Sequence, residues 1–439
     1  MARKLGTAEQ QLAPPSFLSA GTGWSPSYRC ELITPMVGGG TRSWHPDFGN
    51  PVRCQSIKGQ LRFWWRTMQA FNSAADLKAA EDRLWGSTQQ APRVSIRVED
   101  VSHPSTTELS RKPNRYMDYG NLPDYVLFPF QGQKEENGEY IQQFTLISRI
   151  SFTLILSGNS LSNDEQTAAE NSVKLWVLFG GLGARTRRGC GSIFSQEVME
   201  HFHSSSAIRD FLRSCAPATG PAVGTSPYPS LANCRFGYTE TKIEPTSLWS
   251  QYMNTYKNIR QGSIGRDPIP AGGKTPGRSR WPEPDTLRHR SGAITGHTPR
   301  HPDSWFPRAA FGLPIQTQFN TRTTLADPQG TFTLRPSDHE RWPSPMILKV
   351  LKINDTTTAK IWLLLNHACP GNLILESTNY WTRSTPPRTV SIPTVELPTA
   401  ITGKRVLAGS PLPAGTATLG PGTNPYDVLI TYLNVPEVP

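Results

Sequence analysis

The amino-acid sequence predicts an α+β protein, and three observations support this class. Short stretches that alternate apolar and polar residues, as strands do, lie between segments with apolar residues at three- and four-residue steps, as in helices. The chain contains 40 prolines and 36 glycines, so many turns separate its elements. Its 439 residues are enough for two to three domains with sizeable cores.

The first half predicts the element order β-α-β-β-α-β, which is that of a ferredoxin-like (RRM-like) domain with insertions. The first helix is expected to begin at Ser56 as N-cap and to bury an apolar stripe that includes Leu61 and Trp64. The second is expected to have Asn163 as its N-cap, because the acids that follow suit the positive end of a helix dipole. The predicted strands are 28–33, 93–98, 144–156 and 190–198, with a polar insertion at 100–140.

The second half predicts another β-rich domain. A helix is expected at 247–260, followed by strands and a last helix at 427–435. Residues 261–308 have little apolar periodicity and an excess of basic residues, so we expect a basic, mobile insertion there. The predicted strands of this half are 330–335, 346–353, 360–365 and 371–375.

The composition limits the function classes. A net charge of +11 and a pI near 9.4 indicate a polyanionic partner, either nucleic acid or an anionic membrane. A basic protein that merely stays soluble is the alternative that charge alone leaves open. The six cysteines form no Cys-x-x-Cys pair, and the sequence shows neither a secretory signal nor an apolar run long enough to span a membrane. We therefore expect a cytoplasmic protein.

The most specific motif is a glycine-rich loop between the second helix and the strand that follows it. Its glycines permit positive φ and close backbone contact, and its arginines can present guanidinium groups to phosphates or bases. A tight turn with solvated arginines is the alternative. The candidate nucleic-acid-binding residues in this loop are Gly181, Gly183, Arg185, Arg187, Arg188, Gly189 and Gly191.

The first helix carries a second candidate, which we call the α1 track. Lys58, Arg62 and Arg66 are spaced four apart beside the apolar stripe, and such a row of cations suits a phosphate backbone. An ordinary solvated helix flank is the alternative. We expect the α1 track and the glycine-rich loop to converge on one groove for a polynucleotide.

A third candidate is the loop at residues 38–45. It combines flexible glycines with a cation and aromatic rings, a combination suited to a splayed base. A plain surface loop explains the same residues. Its candidate RNA-binding residues are Gly39, Gly40 and Arg42.

The motifs that are typical of enzymes and metal sites are incomplete or missing in this sequence. Residues 273–275 lack the earlier glycine of a P-loop, and His201 and His203 lack a third ligand at recognisable spacing. There is no Gly-x-Ser-x-Gly elbow and no cluster of acids for two Mg²⁺ ions. Scattered histidines such as His45 and His103 leave a metal-free general base open. No cofactor, metal ligand or catalytic residue is predicted.

Several segments taken together resemble a known family. Phe-Gly-Gly-Leu-Gly-Ala-Arg-Thr-Arg-Arg-Gly-Cys-Gly at 179–191 resembles the glycine-rich loop of the RAMP superfamily of CRISPR-associated RNA-binding proteins. Segments 33–40, 56–66 and 84–88 narrow the resemblance to the first-numbered RAMP subunits of the type III-B CRISPR (Cmr) effector complex. The similarity is dense over 28–198 and thin afterwards.

The resemblance implies two RRM-like domains, which we place at 28–203 and 230–439. It further implies a non-catalytic subunit that binds guide RNA toward its 3′ end, helps to capture target RNA and contacts other subunits of the effector complex. The glycine-rich loop and the α1 track would face the RNA. A metal-independent endoribonuclease that processes CRISPR repeat RNA, and a scaffold without RNA contacts, are the alternatives.

Overall fold

The structure is a computed structural model. None of the helices that it describes is both long enough and apolar enough to cross a membrane. It describes residues 23–439 except 41–44, 72, 114–115, 130–133, 135–136, 159, 269–276, 292–305, 320–326, 329, 378–379, 383–387, 391–394 and 399–424.

The first half contains strands and helices in the predicted order, with insertions. Between α4 and β7, a 3₁₀ turn at Thr186–Arg188 occupies the glycine-rich loop. In chain order the elements are β1 (Ser27–Leu32), α1 (Cys54–Thr67), α2 (Ala74–Trp85), β2 (Val94–Glu99), β3 (Ser105–Arg111), β4 (Met117–Asp118), α3 (Asp124–Leu127), β5 (Gln143–Arg149), β6 (Ser151–Gly158), α4 (Asn163–Phe179), β7 (Ile193–Ser195), α5 (Gln196–Met199) and α6 (Ser205–Cys215).

The main sheet of this half has the strand order β2-β6-β1-β7, and each neighbouring pair is antiparallel. Helix α1 precedes β2 and helix α4 joins β6 to β7, so the connectivity is β-α-β-β-α-β with the first and third strands adjacent. This is the ferredoxin-like topology. The prediction for the first half is confirmed.

The helices begin at neighbouring residues rather than the predicted ones. The N-cap of α1 is Arg53, which makes no side-chain capping bond, and Ser56 lies inside the helix. The N-cap of α4 is Ser162, which forms a capping box with Glu165. The predicted apolar stripe of α1 is correct, because Leu61 is fully buried. Burial of that stripe rather than a cap fixes the position of α1.

The predicted strand at 144–156 is two strands. The chain turns at Ile150, so that β5 pairs with β3 and β6 pairs with β1. The insertion at 100–140 supplies β3, β4 and α3, and it forms a separate sheet of order β4-β3-β5. Continuous β propensity concealed this change of sheet.

The second half contains longer insertions. A 3₁₀ helix at Pro307–Phe311 lies between α8 and β9. In chain order the elements are β8 (Ser230–Thr241), α7 (Pro245–Arg260), α8 (Glu283–Ser291), β9 (Ile315–Gln318), β10 (Thr331–Pro336), β11 (Met346–Lys352), β12 (Thr358–Asn366), β13 (Asn372–Ser377), β14 (Tyr380–Thr382), β15 (Arg388–Val390), β16 (Val395–Pro398) and α9 (Pro425–Leu433).

The same topology recurs in the second half. The strands β11-β12-β8 form an antiparallel sheet, and the segment 436–438 runs antiparallel along the free edge of β8. The Tyr238 N–H donates to the Pro436 carbonyl at 3.0 Å, and the Val438 N–H donates to the Phe236 carbonyl at 2.9 Å. With α7 and α9 as its helices, this half is a second ferredoxin-like unit whose fourth strand is reduced to three residues.

The basic insertion is packed wherever the structure describes it. Trp281 is fully buried, and the Arg308 side chain pairs with the buried Glu283 at 3.0 Å. Arg288 donates to Asp327 at 2.6 Å, and both side chains are buried. Buried residues and ion pairs thus fix parts of 277–291 and 306–308 against the core, and the expected mobility of the insertion stays a prediction. Its charges compensate one another internally, which composition alone does not reveal.

The two halves share their apolar cores. The Phe179 ring at the end of α4 meets the Phe236 ring on β8 edge to face, with centroids 5.9 Å apart. The fully buried Lys349 on β11 donates from Nζ to the carbonyl of Val177, in the last turn of α4. Burial holds the pKa of Lys349 well below its usual range. The glycine-rich loop lies at this junction.

Candidate nucleic-acid interface

One end of the glycine-rich loop is folded against the chain that follows β1. The Leu182 N–H donates to the Gly191 carbonyl at 2.9 Å, and the Ala184 N–H donates to the Val37 carbonyl at 2.7 Å. Gly191 has φ of +65°, and a Cβ atom there would lie 2.0 Å from the Leu182 carbonyl oxygen. This contact requires glycine.

The other end of the loop contacts the second half. Gly189 has φ of +74°, and a Cβ atom there would lie 2.8 Å from Cδ1 of Trp249 on α7. Trp249 is fully buried and donates from Nε1 to the Arg188 carbonyl at 2.8 Å. Gly181 and Gly183 are enclosed by backbone in the same way. The glycines therefore serve close packing of the loop against its surroundings.

The arginines of the loop bind protein carbonyls across the junction of the halves. Arg187 donates from Nη1 to the carbonyl of Ser344. Arg188 donates to the carbonyls of Met346 at 2.7 Å and Phe311 at 3.2 Å. The side chains of Arg187 and Arg188 therefore hold the two halves together, and their contact with RNA stays a prediction. A guanidinium has five N–H donors, so each arginine keeps donors for a further acceptor.

Aromatic rings pack against the same guanidiniums. Arg187 lies 5.2 Å from the centre of the Phe63 ring, and Arg188 lies 5.0 Å from the centre of the Tyr256 ring. Burial, together with the charge of Arg188, lowers the pKa of Arg187 to about 10. Burial raises the pKa of Tyr256, but the positive charges of Arg188 and Arg260 outweigh it and hold that pKa below its ordinary value. The site is thus strongly electropositive.

These side chains line a large cavity between the halves, which we call the central cavity. Its volume is about 880 Å³, within the range of ligand-binding clefts. Its lining contains five cations, namely Arg185, Arg187, Arg188, Lys257 and Arg260. It also contains five aromatic residues, namely Tyr125, Phe128, Tyr256, Phe311 and Trp342.

The lining of the central cavity contains one acid, Asp124. Its carboxylate accepts from Nζ of Lys257 at 2.7 and 2.9 Å, and both side chains are partly exposed. Arg260 is paired differently, because its Nη1 donates to the Tyr256 hydroxyl at 3.0 Å. With a single carboxylate against five cations, the cavity has an excess of positive charge suited to phosphate groups.

The α1 track lines a second cavity, of about 580 Å³, together with the turn at 86–88. The buried Glu81 on α2 accepts from Arg66 at 2.7 Å and also from Arg62. Among the residues that the structure describes, no acid pairs with Lys58. Burial and the neighbouring Arg62 lower the pKa of Lys58. Lys58 is therefore the member of the track whose charge is least compensated.

The third candidate loop lies beside the glycine-rich loop. Gly39 lines a cavity of about 200 Å³ together with Gly183 and Arg53, and Arg53 donates to the Gly39 carbonyl. The Gly40 N–H donates to the His45 carbonyl at 2.8 Å, which closes the loop. Arg42 lies outside the described residues.

The glycine-rich loop and the α1 track line different cavities. The central cavity and the cavity of the α1 track have no lining residue in common. The loop and α1 are nevertheless in contact, because Arg187 packs against Phe63, which lies between Arg62 and Arg66 in the sequence. The single groove for a polynucleotide therefore stays a prediction, and the described residues line two basic cavities beside this contact.

Several residues of the central cavity were not predicted. Tyr256, Lys257 and Arg260 occupy the last turn of α7, and Asp124 and Phe128 belong to the insertion. In the sequence, an aromatic residue and two cations near the end of a predicted helix were the available signal for a binding site at these residues. No spacing rule connects them with the glycine-rich loop, because only the fold brings the segments together.

The described residues contain no group of three or more His, Cys, Asp or Glu arranged to hold a metal ion. The cysteines within them are unpaired, and Cys190 in the glycine-rich loop is fully buried. Burial raises the pKa of Cys190 to about 12, so it remains a thiol. We attach no redox role to it.

Comparison with known proteins gives a consistent result. The sequence profile of the RAMP superfamily matches residues 29–194. The CRISPR system Cmr subunit Cmr1-1 of Pyrococcus furiosus is 28% identical over 237 residues, which cover 48% of this chain and 66%, just under two thirds, of that protein. Subunit Cmr1-2 of the same organism is 27% identical over 183 residues, covering 39% of this chain and 94% of that protein.

Solved structures of the same kind align over most of the chain. The apo crystal structure of Cmr1 from Pyrococcus furiosus aligns with a TM-score of 0.45 and 17% identity, covering 79% of this chain and 88% of that one. A chain of the type III-B Cmr-beta complex bound to cognate target RNA aligns with a TM-score of 0.41 and 13% identity, covering 77% and 94%. On its sequence matches, residues 29–194 are similar to the RAMP superfamily and the chain is similar to the Cmr1 subunits of CRISPR systems.

Proposed function

We propose that the chain is a non-catalytic RNA-binding subunit of an RNA-guided antiviral ribonucleoprotein, a type III-B CRISPR effector complex in the cytoplasm. In this proposal it contacts guide RNA toward its 3′ end and helps to capture target RNA, alongside other subunits. The observation that carries the proposal is the central cavity, in which five cations face one carboxylate. Arginine and lysine at such a density suit a phosphate backbone.

The α1 track supplies a second contact in this proposal. Lys58 lines the second cavity with its charge uncompensated by any described acid, whereas Glu81 holds Arg62 and Arg66 in place. Two basic cavities joined by α1 fit an extended strand better than a compact anion. The 38–45 loop, with Gly39 and Gly40 next to the glycine-rich loop, is proposed as a neighbouring contact.

The ion pair between Lys257 and Asp124 allows a test in which stability is matched. Lys257→Gln and Asp124→Asn each break the same ion pair, but they change the charge of the central cavity in opposite directions. A unit charge about 4 Å from a phosphate is worth about 1 kcal/mol in a water-like medium, which is roughly fivefold in affinity. We expect Lys257→Gln to weaken, and Asp124→Asn to strengthen, the binding of single-stranded RNA at low salt by about that factor.

The measurement is fluorescence anisotropy with a labelled guide RNA, combined with urea unfolding of both variants. Changes of affinity in the same direction for both variants would show that the effect comes from the fold and would contradict the proposal. Crosslinking by ultraviolet light in the assembled complex tests the position on the guide. RNA label on this subunit from probes near the 3′ end is expected, and complete absence of label would indicate a pure scaffold.

The non-catalytic part of the proposal has its own test. The alternative is a metal-independent endoribonuclease, which would need a general base beside the RNA backbone. The lining of the central cavity contains no histidine. We expect labelled repeat RNA to remain intact when incubated with the purified chain and EDTA. A discrete cleavage product that disappears with the Lys257→Gln variant would overturn the assignment as a non-enzyme.

A further inference from the structure

Phe128 stands apart from the other aromatic residues of the central cavity. Its side chain is 61% exposed, whereas Tyr256 is 2% and Phe311 3% exposed. Residues Val126 and Leu127 just before it are fully buried, so the backbone that carries Phe128 is anchored in the core. A large apolar ring held in solvent at the edge of a basic cavity forgoes the gain of burial.

The other rings of the cavity already have partners. Trp342 stacks on His367, with ring centroids 5.4 Å apart, and Phe311 meets Trp281 edge to face at 5.9 Å. Tyr256 is contacted by the guanidiniums of Arg188 and Arg260. Tyr125 is half-buried and meets Tyr256 edge to face at 5.8 Å. Among the aromatic residues that line the cavity, Phe128 is therefore the one with a largely exposed ring.

A nucleotide presents an anion and a flat ring to its receptor. The cations of the central cavity supply the first contact and Phe128 supplies the second, on the same wall that carries Asp124 and Tyr125. Stacking on an aromatic side chain needs a base whose face is free, which holds for unpaired nucleotides and not for bases inside a duplex. An exposed ring beside a group of cations therefore favours the binding of single-stranded RNA over paired RNA.

We propose that Phe128 stacks on one unpaired base of a single-stranded RNA whose phosphates the central cavity holds, so that this cavity selects single-stranded segments. This inference rests on the proposed RNA-binding function and adds the class of RNA and the residue that selects it. No covalent step is involved.

The test compares Phe128→Ala with Tyr116→Ala in the full-length chain. Tyr116 is a matched control, because it is also 61% exposed, belongs to the same insertion and does not line the central cavity. Stacking on an aromatic side chain is worth about 1–3 kcal/mol per base. We expect Phe128→Ala to weaken binding of single-stranded RNA about 5- to 150-fold, with Phe128→Trp and Tyr116→Ala close to the wild type.

Two further probes assign the effect to a base. The first is an oligonucleotide with abasic positions, which keeps the phosphates. The second is a duplex of the same length. Phe128→Ala should leave the affinity for both unchanged, so the preference of the wild type for the base-bearing single strand disappears.

Failure of the inference and failure of the proposed function give different results. If the wild type binds single-stranded RNA and Phe128→Ala binds it equally well, the stacking role is wrong while RNA binding stands. An equal loss on single-stranded, abasic and duplex probes would likewise contradict stacking. If the wild type binds none of the probes, both proposals are overturned.

Discussion

At the scale of single residues, the arginines of the glycine-rich loop show how one motif serves two purposes. The sequence indicates cations suited to phosphate, and the structure shows that Arg187 and Arg188 also join the two halves through carbonyls at 344, 346 and 311. The sequence cannot reveal these acceptors, because every residue has a carbonyl and the partners lie more than 120 positions away. Charge reversal in this loop is therefore a poor test of RNA binding alone.

We expect Arg188→Ala to destabilise the protein by about 2–4 kcal/mol, because it removes two charge-assisted bonds to carbonyls in a partly buried site. Urea unfolding gives the free energy of unfolding. The control is Arg97→Ala, whose exposed side chain pairs only with exposed Glu99 among the described residues. A midpoint for Arg188→Ala equal to that of the control would contradict the role of Arg188 as a link between the halves.

At the scale of elements, local pattern predicted α1, α4, α7 and α9 and the strands of the first main sheet, but it missed β8 of the second. The apolar stripe of α1 and the alternating residues of β2 are visible in sequence because burial follows a period. The split of 144–156 into β5 and β6 is not visible, since both strands are rich in β-forming residues and only their partners differ. Helices α2, α3, α5, α6 and α8 were not predicted either.

The candidate site was likewise predictable only in part from the sequence. The loop and the α1 track were found from composition and spacing, but the central cavity was not, since α3, α7 and the loop meet only in the fold. The ion pairs that compensate Arg62 and Arg66 depend on Glu81 from a helix that was not predicted. Spacing identified cations without showing which of them are already paired.

Within α1, we expect Lys58 to contribute mainly to RNA binding and Arg62 to contribute mainly to the stability of the fold. We expect Lys58→Gln to weaken RNA binding severalfold with little loss of stability, because no described acid depends on it. Loss of one phosphate contact should also reduce the slope of log affinity against log salt by about 0.7. Arg62→Gln should instead lower the free energy of unfolding, since it removes a partner of the buried Glu81.

Anisotropy titrations at several salt concentrations and urea unfolding distinguish these outcomes. If Lys58→Gln leaves the salt slope unchanged, the α1 track does not contact phosphate. If Arg62→Gln is as stable as Lys58→Gln, the pairing with Glu81 contributes little.

At the scale of the whole molecule, two ferredoxin-like units are packed through shared cores, and a cavity remains between them. His367 lies at this junction, stacked on Trp342. Burial first, and then the positive charge of Arg187, lower the pKa of His367 from 6.5 to about 4. The folded protein thus keeps this imidazole neutral at a pH where the unfolded chain binds a proton.

Because the pKa of His367 differs between the folded and the unfolded chain, the free energy of unfolding depends on pH. Stability from His367 is complete above pH 6.5 and is lost progressively as the pH falls toward 4, because the unfolded chain binds the proton first. We expect His367→Phe, which keeps an aromatic ring beside Trp342, to lose less stability than the wild type between pH 7 and pH 4.5. Equal losses in urea unfolding at the two pH values would contradict a role for His367 in acid sensitivity.

The short fourth strand at 436–438 imposes an order on biosynthesis. Arg235 on β8 pairs with Glu437 at 2.7 Å, across 202 residues of intervening sequence. A ribosome has to translate all of that sequence before the edge of β8 is covered, while the first sheet is complete by residue 195. The first unit therefore leaves the ribosome before the carbonyls at 311, 344 and 346 that Arg187 and Arg188 bind, and its surface toward the second unit stays exposed to self-association during that interval.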